Sequence, residues 1–219
     1  MDLSTSGLSQ WWQHWLQTIW PEPCFNCGCP GELSPYGLCH SCQSQVIFWH
    51  NNPGSQLLHA VVYDGVMKRL ICDYKYKRKK FLAPKLARLI AEVLSQAGIC
   101  QPEAIVPVPL FWWRELVRGF NQMALVGLYL EQFTGIPLFN NVLAKHRQTI
   151  SQTNLTGSER KKNVRGSFSV RHDRLIKDRY LLLIDDVYTT GATTEEAVRC
   201  LKKAGAKAVT VVTVARSAD

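Results

Sequence analysis

Short apolar runs alternate with longer segments of helical period across residues 55–219. The apolar runs lie at 59–64, 103–110, 179–186 and 206–215, and the helical segments lie at 81–98, 120–135 and 193–205. Continuous apolar runs are typical of strands buried on both faces, and their alternation with amphipathic helices is typical of parallel sheets. The sequence therefore predicts an α/β fold in which helices cover both faces of a parallel, twisted sheet.

Two cysteine pairs precede this pattern. The first C-x2-C pair is Cys24 and Cys27, and the second is Cys39 and Cys42. Two such pairs can supply the four thiolates of a tetrahedral zinc site, and a full shell of four leaves no open position for catalysis. We predict a small structural zinc knuckle over residues 21–50, with four unmetallated thiols as the alternative.

The other cysteines and one histidine also bear on this site. Cys29 and His40 lie inside the motif as competing ligands, although neither completes a C-x2-C pair. Cys72, Cys100 and Cys200 are isolated in the sequence. Because free cysteine is often buried, we predict that these three are core thiols.

Charge and hydropathy limit the class of protein. The 219 residues include 26 Lys and Arg against 17 Asp and Glu, a net charge of +9. This excess favours a polyanionic partner such as nucleic acid or a phosphorylated small molecule. No apolar run reaches the ~18 residues of a membrane-spanning helix. The N-terminus also lacks the basic and apolar blocks of a secretory signal, so we expect a cytoplasmic protein without a membrane span.

Residues 1–20 form a tryptophan-rich segment ahead of the knuckle. Apolar residues recur on one face of a predicted helix, at Leu8, Trp11, Trp15, Leu16 and Ile19. The polar face has no Lys or Arg, which disfavours a helix lying on a membrane surface. We predict an amphipathic helix that docks on the body of the protein, with a partner-binding stripe as the alternative.

The run LLLIDDVYTTGATT, Leu181 to Thr194, places two carboxylates and a Thr/Gly turn after a buried strand. Ligands of open α/β sheets bind beyond the carboxyl ends of the strands, and the free N–H groups of a helix start bind phosphate. Vicinal sugar hydroxyls can donate hydrogen bonds to the two acids. The sequence thus predicts a ribose 5-phosphate site, with Asp185 and Asp186 on the sugar. The predicted phosphate residues are Thr189, Thr190, Gly191, Ala192 and Thr193.

This run resembles the binding motif of type I phosphoribosyltransferases, which hold phosphoribosyl pyrophosphate (PRPP) with Mg²⁺. IVPVPL, from Ile105 to Leu110, is similar to the pyrophosphate loop of that family, and RGFNQ, from Arg118 to Gln122, opens the next helix. With a four-cysteine knuckle ahead, the order of motifs is that of the ComF/ComFC family of bacterial competence proteins and the related GntX. The resemblance spans about Cys24 to Ala215. It implies a PRPP site completed by Pro109, Arg114 and Arg118.

The segment 145–171 is long, basic and rich in Gln, Thr and Asn, and it resembles the mobile active-site loop of glutamine-dependent amidophosphoribosyltransferases. We expect its arginines, Arg147, Arg160 and Arg165, to act as catalytic residues that stabilise the leaving pyrophosphate. Purine-salvage members of the fold carry an acid at the position of Thr189. Its absence disfavours purine salvage, and no general base is visible, so the sequence leaves catalysis undecided.

The stretch from Met67 to Phe81, MKRLICDYKYKRKKF, mixes cations with aromatic residues. Cations neutralise phosphates while aromatic rings stack on bases, a combination used to bind single strands. The candidate DNA-binding residues are Lys75, Tyr76, Lys77, Arg78, Lys79 and Lys80. The alternatives are a solvated basic helix end and a Lys75 that points into the PRPP pocket. Trp112 and Trp113 either form a second stacking platform or cover the edge of the sheet.

The resemblance implies a PRPP-binding competence protein that acts in natural transformation and handles single-stranded DNA in the cytoplasm. One alternative is an active phosphoribosyltransferase on an unidentified acceptor. The other is a PRPP-sensing scaffold that recruits a helicase or recombination-mediator partner through residues 1–20.

Overall fold

A four-stranded parallel sheet forms the centre of the protein. The computed structural model describes residues 22–147 and 164–218. The strands are β1 (Leu57–Val62), β2 (Ala104–Pro107), β5 (Tyr180–Tyr188) and β6 (Ala208–Arg216), in the spatial order β1-β6-β5-β2. All three neighbouring pairs are parallel. The predicted α/β fold with a parallel sheet is confirmed.

Helices connect the strands. They are α1 (His40–Gln43), α2 (Gly65–Tyr76), α3 (Ala83–Gln96), α4 (Trp112–Arg118), α5 (Gln122–Thr134) and α6 (Ala192–Lys203), with 3-10 turns at Lys80–Leu82 and Asp173–Leu175. Three of them, α3, α5 and α6, match the predicted helical segments. The strand–helix pattern did not place α2, since its many cations mask the apolar spacing. No helix in the described ranges is long and apolar enough to cross a membrane.

The two faces of the sheet carry separate cores, and alternate residues of β5 contribute to them. Leu182 and Ile184 pack with α3 and α5 on one face, while Leu181 and Leu183 pack with α6 on the other. Successive side chains of a strand point to opposite faces. The acids that follow therefore also face opposite sides, Asp185 towards the face that carries α6 and Asp186 towards Lys75 of α2.

A two-stranded antiparallel ribbon lies beside α6, at the ends of the segment predicted as a mobile loop. Its strands are β3 (Leu143–Lys145) and β4 (Phe168–Val170). Leu143 and Phe168 are buried in the same core as α6, which explains why these ends are ordered strands. The central part of the predicted loop, 148–163, and the predicted helix over 1–20 lie outside the described residues.

The cysteine knuckle packs directly on the α/β domain. Leu38 and Tyr36 are buried in the same core as α3, and the Tyr36 hydroxyl donates a hydrogen bond to Glu92 of that helix. The Phe25 and Phe81 rings lie 4.9 Å apart. The knuckle is therefore continuous with the apolar core of the sheet.

Candidate functional site

The acid pair lies in the last part of β5. This strand continues to Tyr188 because its pairing with β6 runs to Arg216. The Asp186 N–H donates to Asp185 Oδ1 at 2.8 Å, and the Lys75 Nζ forms an ion pair with Asp186 Oδ1 at 2.9 Å. The lysine and aspartate side chains are only 15% and 21% exposed, so this ion pair is largely shielded from water. Lys75 therefore points at the predicted sugar site.

The environment of Asp185 favours its protonated form. Burial, followed by the adjacent charge of Asp186, raises the pKa of this carboxyl to about 7. The Asp186 N–H and the charges of Lys75 and Lys145 lower the pKa, but they do not cancel the cost of burial. Binding of a hydrogen-bond donor or of a cation at Asp185 therefore favours loss of this proton near neutral pH.

Lys145 is a functional candidate that the sequence analysis did not single out. It ends β3, and its charge is close enough to Asp185 to lower the pKa of that carboxyl. Burial lowers the pKa of Lys145 itself, while Asp185 raises it. Its ammonium also lies 5.2 Å from the centre of the Phe168 ring. Each acid thus has a lysine on its own side of the sheet, and the only sequence signal for Lys145 was a cation after three apolar residues.

The predicted phosphate loop follows β5 and leads directly into α6. Gly191 is the N-cap residue of α6, and its carbonyl accepts hydrogen bonds from the Glu195 N–H at 2.8 Å and the Thr194 hydroxyl at 3.0 Å. The first N–H groups of a helix have no acceptor within the helix, so they are available to an anion. The structure places the loop beside the acid pair, at the carboxyl end of the central strands.

Gly191 is required at this turn for two reasons. Its φ is +75°, in the left-handed region that L residues disfavour. A Cβ built on it would lie 2.3 Å from the Tyr188 hydroxyl oxygen. The Tyr188 ring is in turn packed 5.0 Å from the His59 ring and 5.6 Å from the Arg216 guanidinium. A side chain at position 191 would therefore displace a ring that is held from two other strands.

A cationic cleft adjoins the acid pair on the Lys75 side. We call it the α2–α4 cleft, and its volume is about 650 Å³. It is lined by Lys75, Tyr76, Arg78, Trp113, Arg114, Val117 and Arg118. Four of these seven residues are cations and two are aromatic. One cleft thus contains both residues that were predicted to bind pyrophosphate and residues that were predicted to bind DNA.

A buried glutamine holds the walls of the α2–α4 cleft together. The Gln122 side chain is 1% exposed; it accepts a hydrogen bond from Arg118 Nη1 at 2.7 Å and donates to the Lys75 carbonyl at 3.4 Å. The Arg118 guanidinium also lies 5.2 Å from the centre of the Tyr76 ring. Across the cleft, Arg78 Nη2 donates to the Val117 carbonyl at 2.6 Å. Arg78 and Arg118 are therefore positioned before any ligand binds.

The remaining candidates for DNA binding point elsewhere. Lys77 and Lys79 form ion pairs with the two carboxylate oxygens of Asp73, at 2.8 Å and 2.6 Å. The Lys80 ammonium lies 4.9 Å from the centre of the Phe120 ring. Half of the predicted DNA-binding residues thus have partners among residues that do not line the α2–α4 cleft.

The other predicted PRPP and loop residues are dispersed. Pro109 lines a separate cavity of about 520 Å³ that also includes Trp112 and Lys145. Arg147 and Arg165 are exposed at the two ends of the undescribed part of the loop, and Arg160 lies outside the described residues.

Trp112 and Trp113 were predicted either to form a stacking platform or to cover the edge of the sheet, and their exposure distinguishes between these alternatives. They are 61% and 50% exposed, and α4 has no buried residue. The tryptophans therefore do not serve as a cover for the sheet.

The four predicted metal ligands come together in the knuckle. The sulfur atoms of Cys24, Cys27, Cys39 and Cys42 all lie within 4.8 Å of one another. Tetrahedral zinc with Zn–S bonds of about 2.3 Å requires sulfurs about 3.8 Å apart. Cys27 Sγ and Cys39 Sγ are 3.7 Å apart, which fits this requirement. The cluster can hold a metal such as zinc.

Hydrogen bonds to the sulfurs favour thiolates in this cluster. The Cys39 N–H donates to Cys24 Sγ at 3.3 Å, and Asn26 Nδ2 donates to Cys42 Sγ at 3.2 Å. Burial raises the pKa of Cys24, but backbone N–H groups, including that of Cys27, lower it to about 6 overall. At Cys42 the Asn26 amide lowers the pKa, but burial and the neighbouring sulfurs raise it to about 12. Metal ligation requires the thiolate, and the backbone supports this form at Cys24.

The other cysteines differ in their environments. Cys29 Sγ lies 3.4 Å from Cys27 Sγ, outside the four-sulfur group. Cys72 and Cys200 are partly buried, but Cys100 is exposed. The prediction of a core thiol is therefore wrong for Cys100, because it lies in the loop between α3 and β2 and not on a packed face.

The chain is similar in sequence to several known proteins. The model of the phosphoribosyl transferase domain matches residues 124–219. Competence protein F of Haemophilus influenzae is 28% identical, over 87% of this chain and 89% of that protein. The DNA utilization protein YhgH of Escherichia coli is 29% identical, over 90% of this chain and 98% of that protein. Competence protein ComFC of Bacillus subtilis is 27% identical, over 92% of this chain and 81% of that protein.

Proposed function

Because the chain is a homologue of the ComF-type competence proteins and contains a phosphoribosyl transferase domain, we propose that it binds PRPP with Mg²⁺ and handles single-stranded DNA during natural transformation. We place this activity in the cytoplasm. We also propose that the four-cysteine cluster holds zinc as a structural ion, since its full sulfur shell leaves no open position.

The observation that carries the proposal is the position of the acid pair beside the phosphate loop. Asp185 and Asp186 extend to opposite faces of β5, and Gly191, three residues after the end of the strand, is the N-cap residue of α6. A ribose 5-phosphate has hydroxyls at one end and a dianion at the other. The acids would accept hydrogen bonds from the ribose 2- and 3-hydroxyls, while the helix start would donate to the phosphate.

Mg²⁺ would accompany PRPP at the acid pair. It prefers oxygen ligands and commonly binds through one or two carboxylates together with substrate phosphates. Asp185 and Asp186 provide such oxygens, and the cation would neutralise negative charge on the leaving pyrophosphate. The roles of this chain's own residues are to orient the ribose, to bind its phosphate and to place Lys75 and Lys145 beside the acids.

A single glycine substitution tests PRPP binding. We expect calorimetry with PRPP and Mg²⁺ to detect binding to the wild-type chain and a loss of about 30-fold or more in Gly191→Ala, equivalent to ~2 kcal/mol. The added methyl group would strain the left-handed turn and displace Tyr188. Gly135→Ala is the matched control, because Gly135 has a φ of +71° and a methyl group added there would have nothing within 4 Å. This control should lose some stability and keep its affinity for PRPP. If calorimetry detects no binding of PRPP to the wild-type chain, the proposal is wrong.

Single-stranded DNA binding is supported by the charge and the aromatic residues of the α2–α4 cleft. Phosphates need cations, and bases stack on rings such as Tyr76, which is 69% exposed. The relatives named for competence and DNA utilization add support from homology.

Fluorescence anisotropy with a labelled oligothymidylate should detect binding that weakens as salt increases. Tyr76→Ala should weaken it about 10-fold, given stacking energies of ~1–3 kcal/mol. Phe133 is an exposed aromatic residue near the C-terminal end of α5, opposite the end that contains Gln122. Phe133→Ala should not change the affinity for DNA. Absence of binding at low salt would exclude direct contact with DNA.

A further inference from the structure

One cleft contains the cations that the sequence assigned to two different ligands. Arg114 and Arg118 were predicted to contact the pyrophosphate of PRPP, and Lys75 and Arg78 were predicted to contact DNA. The two pairs come from α4 and from the region of α2, yet they line the same α2–α4 cleft. The fold thus presents a single set of positive charges to two polyanions.

We infer that PRPP and single-stranded DNA compete for the α2–α4 cleft, so that PRPP releases bound DNA. This inference rests on the proposed function, since it requires that each ligand bind by itself. It adds that the two binding events are coupled negatively and that the coupling passes through shared cations. By linkage, DNA weakens PRPP binding by the same factor.

Lys75 connects the cleft to the sugar site. Its ammonium contacts Asp186 at 2.9 Å, and the same side chain lines the α2–α4 cleft. The cleft therefore begins beside the acid pair. A pyrophosphate attached to a ribose on these acids enters the region of Lys75, where a phosphate of the DNA backbone also finds its counter-charge.

The electrostatics of the cleft favour exclusion over joint occupancy. The described residues that line it include four cations and no carboxylate. Mg²⁺ neutralises only part of the charge of PRPP, so the bound ligand stays anionic and repels a second polyanion at short range. Gln122 holds Arg118, and the Val117 carbonyl holds Arg78. These two cations therefore cannot move out of the cleft to stay in contact with DNA that PRPP has displaced.

The test is an anisotropy titration of labelled oligothymidylate at constant Mg²⁺ and constant ionic strength. With increasing PRPP, the apparent Kd for DNA should rise in proportion to PRPP and exceed 10-fold, without a plateau. Ribose 5-phosphate is the matched ligand, because it has the groups for the acid pair and the phosphate loop but no pyrophosphate. It should leave the affinity for DNA unchanged.

Two arginine substitutions make the test specific to the cleft. Arg114→Gln should weaken the binding of DNA and of PRPP, each by about 5-fold or more, as expected for a lost phosphate contact. Arg88→Gln removes one charge from α3, where Arg88 lies 5.2 Å from the Phe133 ring, and should change neither affinity.

The outcomes separate this inference from the proposed function. If PRPP or DNA alone fails to bind, the proposed function is wrong. If both bind but PRPP changes the DNA affinity less than 2-fold, or if the effect reaches a plateau, competition for the cleft is wrong while the proposed function stands. An equal effect of ribose 5-phosphate would likewise overturn the role of the pyrophosphate.

Discussion

Asp185→Asn should be more stable than the wild-type chain at pH 8 and yet lose PRPP affinity by about 50-fold or more, as expected for a lost charged hydrogen-bond acceptor. Burial raises the pKa of Asp185 to about 7 in the folded chain. The unfolded carboxyl titrates near ~3.9. Between these values the folded state binds more protons than the unfolded state, so wild-type stability falls as the pH rises from about 4 to about 7.

The amide removes this loss because it carries no charge at any pH in the range. The stability difference should be near zero at pH 4 and reach about 1–3 kcal/mol above pH 7. Urea unfolding of both chains from pH 5 to pH 8.5, without Mg²⁺, measures it. Asp64→Asn, the same change at an exposed residue, is the control and should show no such pH-dependent gain. A constant difference across the range would show that Asp185 is not buried in its charged form.

Loss of metal from the four-cysteine cluster should destabilise the whole chain, not the knuckle alone. The core that contains Leu38 of the knuckle also contains α3 and strands of the sheet, so a collapsed knuckle would expose part of this core. We expect Cys24→Ser to lose bound zinc and about 3 kcal/mol or more of the free energy of unfolding.

Elemental analysis and urea unfolding, with and without a chelator, measure both effects. The wild-type chain should contain one zinc ion. Cys100→Ser changes an exposed cysteine outside the cluster and should keep both the metal and the stability. Wild-type behaviour of Cys24→Ser in both assays would refute a structural zinc site.

These two experiments concern features that lie within short stretches of sequence. The acids, the glycine turn and the start of α6 are consecutive, so one strand followed by one helix is enough to arrange them. The two cysteines of each pair are likewise separated by only two residues. The four sulfurs form a metal site once the two pairs lie next to each other. Local patterns of this kind can be recognised without knowing the rest of the fold.

The segment from Met67 to Phe81 shows where such prediction stops. Six of its residues were predicted to bind DNA, with a solvated basic helix end and a Lys75 that points into the PRPP pocket as the alternatives. In the structure, Lys75 turns inward to Asp186, while Lys77 and Lys79 bind Asp73. The direction of each side chain depends on how α2 is rotated against the sheet, and that rotation is fixed by packing of its apolar face.

The sequence alone therefore determined the parallel α/β fold, the position of the acid pair next to the predicted phosphate loop, and the four-cysteine cluster, because strand and helix periods and short motifs are local properties. The tertiary structure decided that each acid has its own lysine and that the α2–α4 cleft joins two predicted sites. Lys75 and Asp186 are 111 positions apart in the sequence, and Arg78 and Val117 are 39 apart. Only the packing of helices on the sheet brings such residues within contact distance.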